Sequence, residues 1–210
     1  MIRSSKNINK LIIFDLDGVL IDSRSNMKNS WNIVKKKYSL HQDFKEYYKY
    51  LGLPFEKILK NIGINDEVLI KKIKKNYEIN STKNISKIKF YPYVRSTLKF
   101  LKKKNYKLSI VTSKNIKRTK LILKDIYDIF DTINTPDLKI KSKPYPDQIF
   151  YAIKKSGSSI RNSIFIGDSI HDKLAAKKAG IMFYYAAYGY GNLDYKHKLN
   201  KLSEIKNFVK

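Results

Sequence analysis

Three short, mostly apolar runs stand out along the chain, and each is followed by carboxylate or hydroxyl side chains. They occupy residues 11–14, 108–111 and 163–166. Runs of this length predict strands that are buried on both faces of a parallel sheet. In an open sheet of this kind, ligands bind at the carboxyl ends of the strands. We therefore expect the polar residues after the three runs to converge at one edge.

Helical periodicity fills the intervals between these runs. Val94, Leu98 and Leu101 recur at the spacing of one helix face. Two further helical patterns, at residues 148–155 and 173–179, end shortly before a glycine, the residue that most often closes a helix. Strands that alternate with helices indicate a Rossmann-like α/β core with a parallel sheet.

Residues 23–89 interrupt this alternation, because they carry helical patterns and no convincing strand. Apolar residues at helical spacing form two clear stripes there. The stripes are Met27, Trp31, Val34 and Tyr38, and then Phe55, Ile58, Leu59 and Ile62. The polar stretch 80–84 is interpreted as the linker back to the core. We therefore predict a core made of residues 1–22 and 90–210, with a small α-helical cap domain inserted at 23–89.

Two short segments mark places where this insert meets the core. Asp22 and Ser23 lie at its first junction, and both residue types favour helix N-cap positions, so either could simply cap the first inserted helix. The segment 51–54 is a loop inside the insert. It could reach over a ligand or serve as a plain connection between helices.

Composition narrows the choice of function classes. The 210 residues are 42% hydrophobic and include no cysteine, so we expect a globular fold without disulfides. A net charge of +26 suggests a nucleic-acid surface, but five of the 44 basic residues are arginine and the lysines are spread along the chain. We therefore do not expect a nucleic-acid partner. No window approaches the roughly 20 apolar residues of a membrane span, so we expect a cytoplasmic protein without a membrane partner.

Asp15 and Asp17 follow the first apolar run, just before Gly18. Alternate residues of an extended backbone project to the same side, so both carboxylates could face one substrate. Aspartates beside a glycine also form turns in which they only accept hydrogen bonds from the backbone. Taken alone, the two aspartates leave catalysis and turn formation equally open.

Five later residues supply groups that phosphoryl chemistry needs. Thr112 and Ser113 end the second strand with hydroxyl and backbone N–H groups that can hold phosphoryl oxygens. Lys143 is distinguished from the many other lysines only by the prolines that follow it. Asp168 and Asp172 lie four residues apart after the third strand. Asp172 also fits a capping box at a helix start, which could explain its presence without catalysis.

Taken in order, these segments resemble the four motifs of the haloacid dehalogenase-like (HAD) hydrolase superfamily. Residues 15–20 are similar to its first motif and residues 111–113 to its second. Lys143 with the following proline is similar to the third motif, and residues 167–169 with Asp172 to the fourth. The helical insert also falls where phosphatases of the phosphoglycolate phosphatase type carry their cap. The resemblance covers nearly the whole chain and implies a HAD-like fold.

The resemblance also implies a role for each aspartate. Asp15 would be the nucleophile that forms an aspartyl-phosphate, and Asp17 would be the general acid and base. Mg²⁺ would be bound by the Asp15 carboxylate, the Asp17 backbone carbonyl and the Asp168 carboxylate. Asp172 would orient a metal-bound water.

The resemblance also implies roles at the phosphate-binding site for three further residues. Thr112 and the Ser113 amide would bind the phosphoryl group. Lys143 would offset the charge of the carboxylates and fix Asp15 in place. The loop at 51–54 would be the cap loop that reaches over the substrate.

Three functions fit this sequence. The first is a Mg²⁺-dependent phosphatase for a small phosphorylated metabolite, such as phosphoglycolate, a sugar phosphate or a nucleotide. The second is a phosphomutase of the β-phosphoglucomutase type, which returns the phosphoryl group to its substrate. The third is a basic nucleic-acid-binding protein that uses the fold as a platform. Because all four motifs are intact, the phosphatase is the function we predict.

Overall fold

A computed structural model describes residues 9–138 and 140–209 of the chain. Residues 1–8, which open the predicted core segment, lie outside the described residues, as do Lys139 and Lys210. The strands are β1 (Asn9–Phe14), β2 (Ile21–Asp22), β3 (Lys89–Phe90), β4 (Lys107–Val111), β5 (Thr132–Asn134), β6 (Ser158–Gly167), β7 (Met182–Ala186) and β8 (Lys198–Leu199).

Eight α-helices accompany these strands among the described residues. They are α1 (Arg24–Lys37), α2 (Phe44–Tyr48), α3 (Phe55–Asn61), α4 (Glu67–Lys83), α5 (Val94–Lys103), α6 (Ile116–Leu123), α7 (Asp147–Ser156) and α8 (Ile170–Ala179). In residues 9–138 and 140–209, no helix combines the length and the apolar character needed to cross a membrane.

Six strands form one parallel sheet in the order β5-β4-β1-β6-β7-β8. The first strand therefore lies in the middle, between the other two apolar runs. Its last residue, Phe14, is level with Ile110 of β4 and Ile166 of β6. This register brings the residues that follow the three strands to the same edge. The predicted α/β class with a Rossmann-like parallel sheet is confirmed.

Both faces of the sheet are covered by helices, which explains why its central strands are apolar without alternation. Ile12 and Phe14 point to one side and pack in a cluster with Leu98 of α5. Leu11 and Ile13 point to the other side and pack with residues of α7 and α8. Because alternate strand residues face opposite directions, a strand covered on both faces needs an apolar side chain at each position.

The helices α1 to α4 lie between β2 and β3 and bury a separate hydrophobic cluster. Trp31 is fully buried in this cluster, and its ring stacks on that of Tyr47 with centroids 4.9 Å apart. Its indole N–H donates to the Gln42 carbonyl at 3.1 Å, so the buried polar atom is satisfied. The strands β2 and β3 pair in antiparallel fashion where the chain leaves and re-enters the core.

The prediction of a linker at residues 80–84 is wrong, because α4 continues to Lys83. The polar groups of this stretch find partners within the helical layer. Asn80 Nδ2 donates to the Asn76 carbonyl one turn earlier, at 2.8 Å. Ser81 is buried, and its carbonyl accepts from Asn26 Nδ2 of α1 at 2.8 Å. Polar composition was therefore a poor indicator of exposure here.

The buried indole of Trp31 predicts a large stability loss on truncation. Trp31→Ala should lower the free energy of unfolding by about 3–5 kcal/mol, since the cavity left in a close-packed cluster is only partly refilled. Urea unfolding followed by circular dichroism measures this. Ile33→Ala on the same helix is the control, because Ile33 is 42% exposed, and its loss should stay below about 1 kcal/mol. Equal losses in the two variants would contradict the packing described here.

Candidate active site

Asp15 is the first residue after β1 and is held by the neighbouring strand. Its N–H donates to the Ile166 carbonyl at 2.9 Å, which continues the pairing of β1 with β6. Its Oδ1 accepts from the Leu16 N–H at 2.7 Å. The residue is only 4% exposed. The sheet edge thus fixes one buried carboxylate at the position where the sequence predicts a nucleophile.

Three buried carboxylates meet at this edge. Ligand atoms of Asp15, Asp168 and Asp172 all lie within 4.8 Å of one another. Lys143 Nζ lies 2.9 Å from Asp15 and 2.7 Å from Asp172, and the lysine is 1% exposed. A single buried ammonium therefore faces three carboxylates. Such a cluster suits a hard divalent cation, which takes oxygen ligands and would offset the remaining negative charge.

Burial raises the pKa of Asp15 to about 7, although the Lys143 ammonium pulls it down, and the Asp172 and Asp17 carboxylates push it up further. Burial together with Asp172 and Asp15 raises the pKa of Asp168 well above its usual value. Burial lowers the pKa of Lys143, but attraction to Asp15 and Asp172 outweighs this and raises it above the ordinary lysine value. Lys143 therefore stays charged at neutral pH.

Asp172 has two roles in the geometry. With Ser169 it forms the capping box that the sequence indicated at the start of α8. Its Oδ2 accepts from the Ser169 N–H at 3.0 Å, while its Oδ1 accepts from Lys143. The cap interaction therefore orients a carboxylate that also belongs to the buried cluster.

The Asp17 carboxylate stands apart from the other three and borders the cavity described below. Ser23 Oγ donates a hydrogen bond to Asp17 Oδ1. Lys114 Nζ lies 2.8 Å from Asp17 Oδ2. Ser23 and Lys114 thus fix the two carboxylate oxygens of Asp17, the predicted acid and base. Lys114 also directly follows Thr112 and Ser113, the predicted phosphate-binding pair.

Thr112 and Ser113 follow β4 and also border the cavity. The Thr112 N–H is used by the sheet, because it donates to the Asn134 carbonyl at 3.0 Å, and Thr112 Oγ1 accepts from the Lys114 N–H at 3.2 Å. Ser113 Oγ donates to the Gly52 carbonyl at 2.6 Å. Both residues lie where the sequence placed them, and their part in phosphate binding stays a prediction.

A cavity of about 620 Å³ lies between the sheet edge and the helical layer. Asp15, Lys143 and Asp168 border it from the core, and Tyr47 and Tyr77 border it from the helices. The wall from the core is therefore charged, and the helical wall combines aromatic rings with charged side chains such as Glu56 and Lys74. Apart from Asp172, the sequence-predicted site residues border one cavity of a size suited to a small molecule.

The loop at 51–54 reaches this cavity, as the sequence suggested. Gly52 has a φ of +96°, a region that side chains disfavour, and a Cβ there would lie 2.9 Å from Ser169 Oγ. A larger residue at this position would therefore push the loop away from the fourth motif. The neighbouring His171 also borders the cavity, and burial lowers the pKa of its imidazole.

The family model for haloacid dehalogenase-like hydrolases matches residues 12–186, which is most of the chain and includes all the residues described above. The chain belongs to the haloacid dehalogenase-like hydrolase family. The predicted family, and with it the prediction of an enzyme, is confirmed.

Named relatives of this hydrolase cover almost its full length. The phosphoglycolate phosphatase of Aquifex aeolicus is 30% identical over 209 residues, which are 96% of this chain and 95% of the relative. Pyrophosphatase PpaX of Oceanobacillus iheyensis is 29% identical over 205 residues, which are 95% of each chain. The crystal structure of a predicted phosphoglycolate phosphatase from Haemophilus somnus superposes with a TM-score of 0.87 at 26% identity, and covers 96% of this chain and 98% of that one.

Sequence reasoning missed three residues of this hydrolase that border the cavity. Lys114 pairs with Asp17, and Arg118 donates to acceptors on the helical layer. Tyr190 lies after β7, and its N–H donates to Asp168 Oδ2 at 2.7 Å. The only signal for Tyr190 was the alternation of tyrosine and glycine at residues 188–191, directly after a fourth apolar run.

The crowding of carboxylates predicts a pH-dependent stability in metal-free buffer. With a folded pKa of about 7 against 3.8 unfolded, Asp15 binds more protons in the folded state between those values, so stability falls as pH rises through that window. Asp15→Asn should therefore raise the free energy of unfolding at pH 8 by roughly 1–4 kcal/mol. The gain should shrink toward pH 4.

Chemical denaturation in the presence of a chelator, at several pH values, measures this difference. Asp128→Asn is the matched control, because Asp128 is exposed and its substitution should have little effect at any pH. A gain for Asp15→Asn that did not change with pH would mean that carboxylate repulsion is not its cause.

Proposed function

We propose that this hydrolase is a Mg²⁺-dependent phosphatase that acts on a small phosphorylated metabolite through a phosphorylated Asp15. The observation that carries the proposal is the pairing of a buried Asp15 carboxylate with Lys143 at the edge of the cavity. Carboxylate nucleophiles of this kind form acyl phosphates. The relatives named phosphatases support the same reaction class.

The first half-reaction transfers the phosphoryl group to the enzyme. An oxygen of Asp15 attacks phosphorus and forms a bond with it, while the bond from phosphorus to the leaving oxygen breaks. Asp17 donates its proton to that leaving oxygen, so the oxygen departs as a hydroxyl group. Thr112 and the Ser113 amide hold the oxygens of the phosphoryl group, and Lys143 keeps Asp15 oriented.

The second half-reaction returns the enzyme to its starting state. Asp17, now a carboxylate, removes a proton from water, and the water oxygen bonds to phosphorus as the bond to Asp15 breaks. Phosphate is released and Asp17 is protonated again. When bound by the carboxylates of Asp15 and Asp168 and the carbonyl of Asp17, Mg²⁺ supplies positive charge that stabilises the transferred oxygens. Asp172 is suited to orient a water of that ion.

The helical layer serves as a cap in this proposal. Residues 23–89 form the roof of the cavity, and the loop at 51–54 contacts the core through the Ser113–Gly52 hydrogen bond. Bulk water would compete with the substrate as acceptor, so a roof over Asp15 favours productive transfer. In this proposal the core comprises residues 1–22 and 90–210, of which the structure describes 9–22, 90–138 and 140–209.

Phosphoglycolate is the first substrate to test, because relatives named phosphoglycolate phosphatase align along nearly the whole chain. Pyrophosphate is the second, since two relatives are named as pyrophosphatases and one is 32% identical over 81% of this chain. Both are small anions of a size that fits the cavity. The ratio of their kcat/KM values distinguishes the two functions.

Removal of the nucleophile should abolish turnover. Asp15→Asn should lower kcat by roughly 10³-fold or more, because an amide cannot form the covalent intermediate. Chelation of Mg²⁺ should have a similar effect on the unmodified protein and be reversed by adding the ion back. Release of inorganic phosphate from phosphoglycolate and from pyrophosphate measures both effects.

Asp128→Asn is the control for this experiment, and its activity should stay within about twofold of the unmodified protein. Turnover that survives in Asp15→Asn would rule out the covalent mechanism. A hexose 6-phosphate formed from a hexose 1-phosphate without release of phosphate would instead identify a mutase.

A further inference from the structure

The loop at residues 188–191, after β7, packs its backbone directly onto the catalytic edge. A Cβ added to Gly189 would collide with the Gly18 carbonyl and with Asp168, and one added to Gly191 would collide with the Asp168 carbonyl. Only glycine allows this close approach. The residue between them, Tyr190, is therefore held at a fixed position relative to Asp168.

Tyr190 makes polar contacts at both of its ends. Its N–H donates to Asp168 Oδ2 at 2.7 Å. Its phenol oxygen accepts from the Ser23 N–H at 2.6 Å and lies 3.2 Å from Ser23 Oγ. The phenol also donates to the Ile21 carbonyl at 3.3 Å. One residue thus connects the carboxylate cluster, through its backbone, with the segment that leads into α1, through its side chain.

Ser23 does not act as an ordinary helix cap. It occupies the N-cap position of α1, yet its hydroxyl makes no hydrogen bond to the helix, although such a bond typically contributes about 1 kcal/mol. Instead, Ser23 Oγ donates to Asp17, and Asp22 accepts from the Arg24 N–H at 3.0 Å. The serine is fully buried. Its hydroxyl is diverted from the helix to the predicted acid and base.

We infer that Tyr190 is a positioning residue for proton transfer: its phenol fixes Ser23, and Ser23 holds the carboxyl group of Asp17 toward the leaving oxygen. This inference rests on the proposed function. The phenol acts on Asp17 through Ser23, which hydrogen-bonds to both residues. Its effect is to restrict the orientation of Asp17 by fixing the residue that bonds to it.

The phenol is suited to this role because it stays protonated. Burial raises the pKa of Tyr190 far above its usual value, with the Asp17 charge acting in the same direction. The ring is held independently of the hydroxyl, since it lies 5.9 Å from the Tyr48 ring and 5.0 Å from the Arg24 guanidinium. Tyr190→Phe therefore removes the hydrogen bonds and keeps the packing.

If Tyr190 positions an acid, its loss should lower kcat/KM only for substrates whose leaving oxygen needs a proton. A purely structural role would lower kcat/KM equally for all substrates. An alkyl phosphate needs a proton on its leaving oxygen, whereas 4-nitrophenyl phosphate releases a stable anion and needs none. For Tyr190→Phe, kcat/KM should fall roughly 10-fold with the alkyl phosphate and stay within about twofold with 4-nitrophenyl phosphate. Ser23→Ala should show the same selectivity, and the double variant should add little, because the two residues act in series.

Tyr188→Phe is the matched control from the same loop. Its phenol donates to the Val19 carbonyl at 3.0 Å, so the variant also loses a hydrogen bond to the core, but not one to Ser23. It should alter kcat/KM for the two substrates equally. Equal losses for the two substrates in Tyr190→Phe would overturn the inference while leaving the phosphatase proposal intact.

A crystal structure of Tyr190→Phe tests the inference without relying on activity. The hydrogen bond between Ser23 and Asp17 should be lost or lengthened, with the serine hydroxyl free to cap α1. A structure in which that bond is unchanged would overturn the inference. Absence of hydrolysis of either substrate by the unmodified protein would instead count against the proposed function, and the role in proton transfer would fall with it.

Discussion

The ion pairs of Lys143 with Asp15 and Asp172 are the interactions on which the site depends. An ammonium group this deeply buried would be strongly destabilising without carboxylate partners, and the partners would repel one another without it. One lysine cannot neutralise three ionised carboxylates, so without a cation the cluster favours protonation, as the raised pKa values of Asp15 and Asp168 indicate. A divalent cation bound among the carboxylates would offset their negative charge and keep them ionised. Without a cation, ionising them opposes the stability of the folded protein.

The rest of the architecture maintains this arrangement and encloses it. The parallel register of β1 and β6 brings Asp15 and Asp168 to the same edge of the sheet, and α8 orients Asp172 through its cap. Above them, the helical layer contacts the core through polar groups. Arg118 of α6 is buried and donates to Asn26 and Ser81 on the layer, while burial lowers its pKa. Polar contacts of this kind are typical of interfaces between parts of a chain that move relative to each other.

The strands and the aspartates that meet at the edge of the sheet could be predicted because their signals are local. A buried parallel strand needs an apolar run, and Asp15 and Asp168 follow such runs directly. The helical end of α4 could not be predicted from its polar composition, because the buried Ser81 is satisfied by Asn26 and Arg118, which are distant in sequence. The place of Lys114 and Tyr190 in the site could not be predicted for a related reason. Each is one of many residues of its type, and only the folded chain brings Lys114 to Asp17 and Tyr190 to Asp168.

The central claim is that Asp15 becomes phosphorylated during turnover. Acyl phosphates are reduced by borohydride, which would convert a phosphorylated Asp15 to homoserine. The protein would be mixed with phosphoglycolate and Mg²⁺, quenched within the first turnover, reduced with borohydride and analysed by peptide mass spectrometry. Homoserine at position 15, present only when substrate and metal are both added, is the result that this account predicts. Turnover without any modification of Asp15, or with the label on another residue, would contradict it.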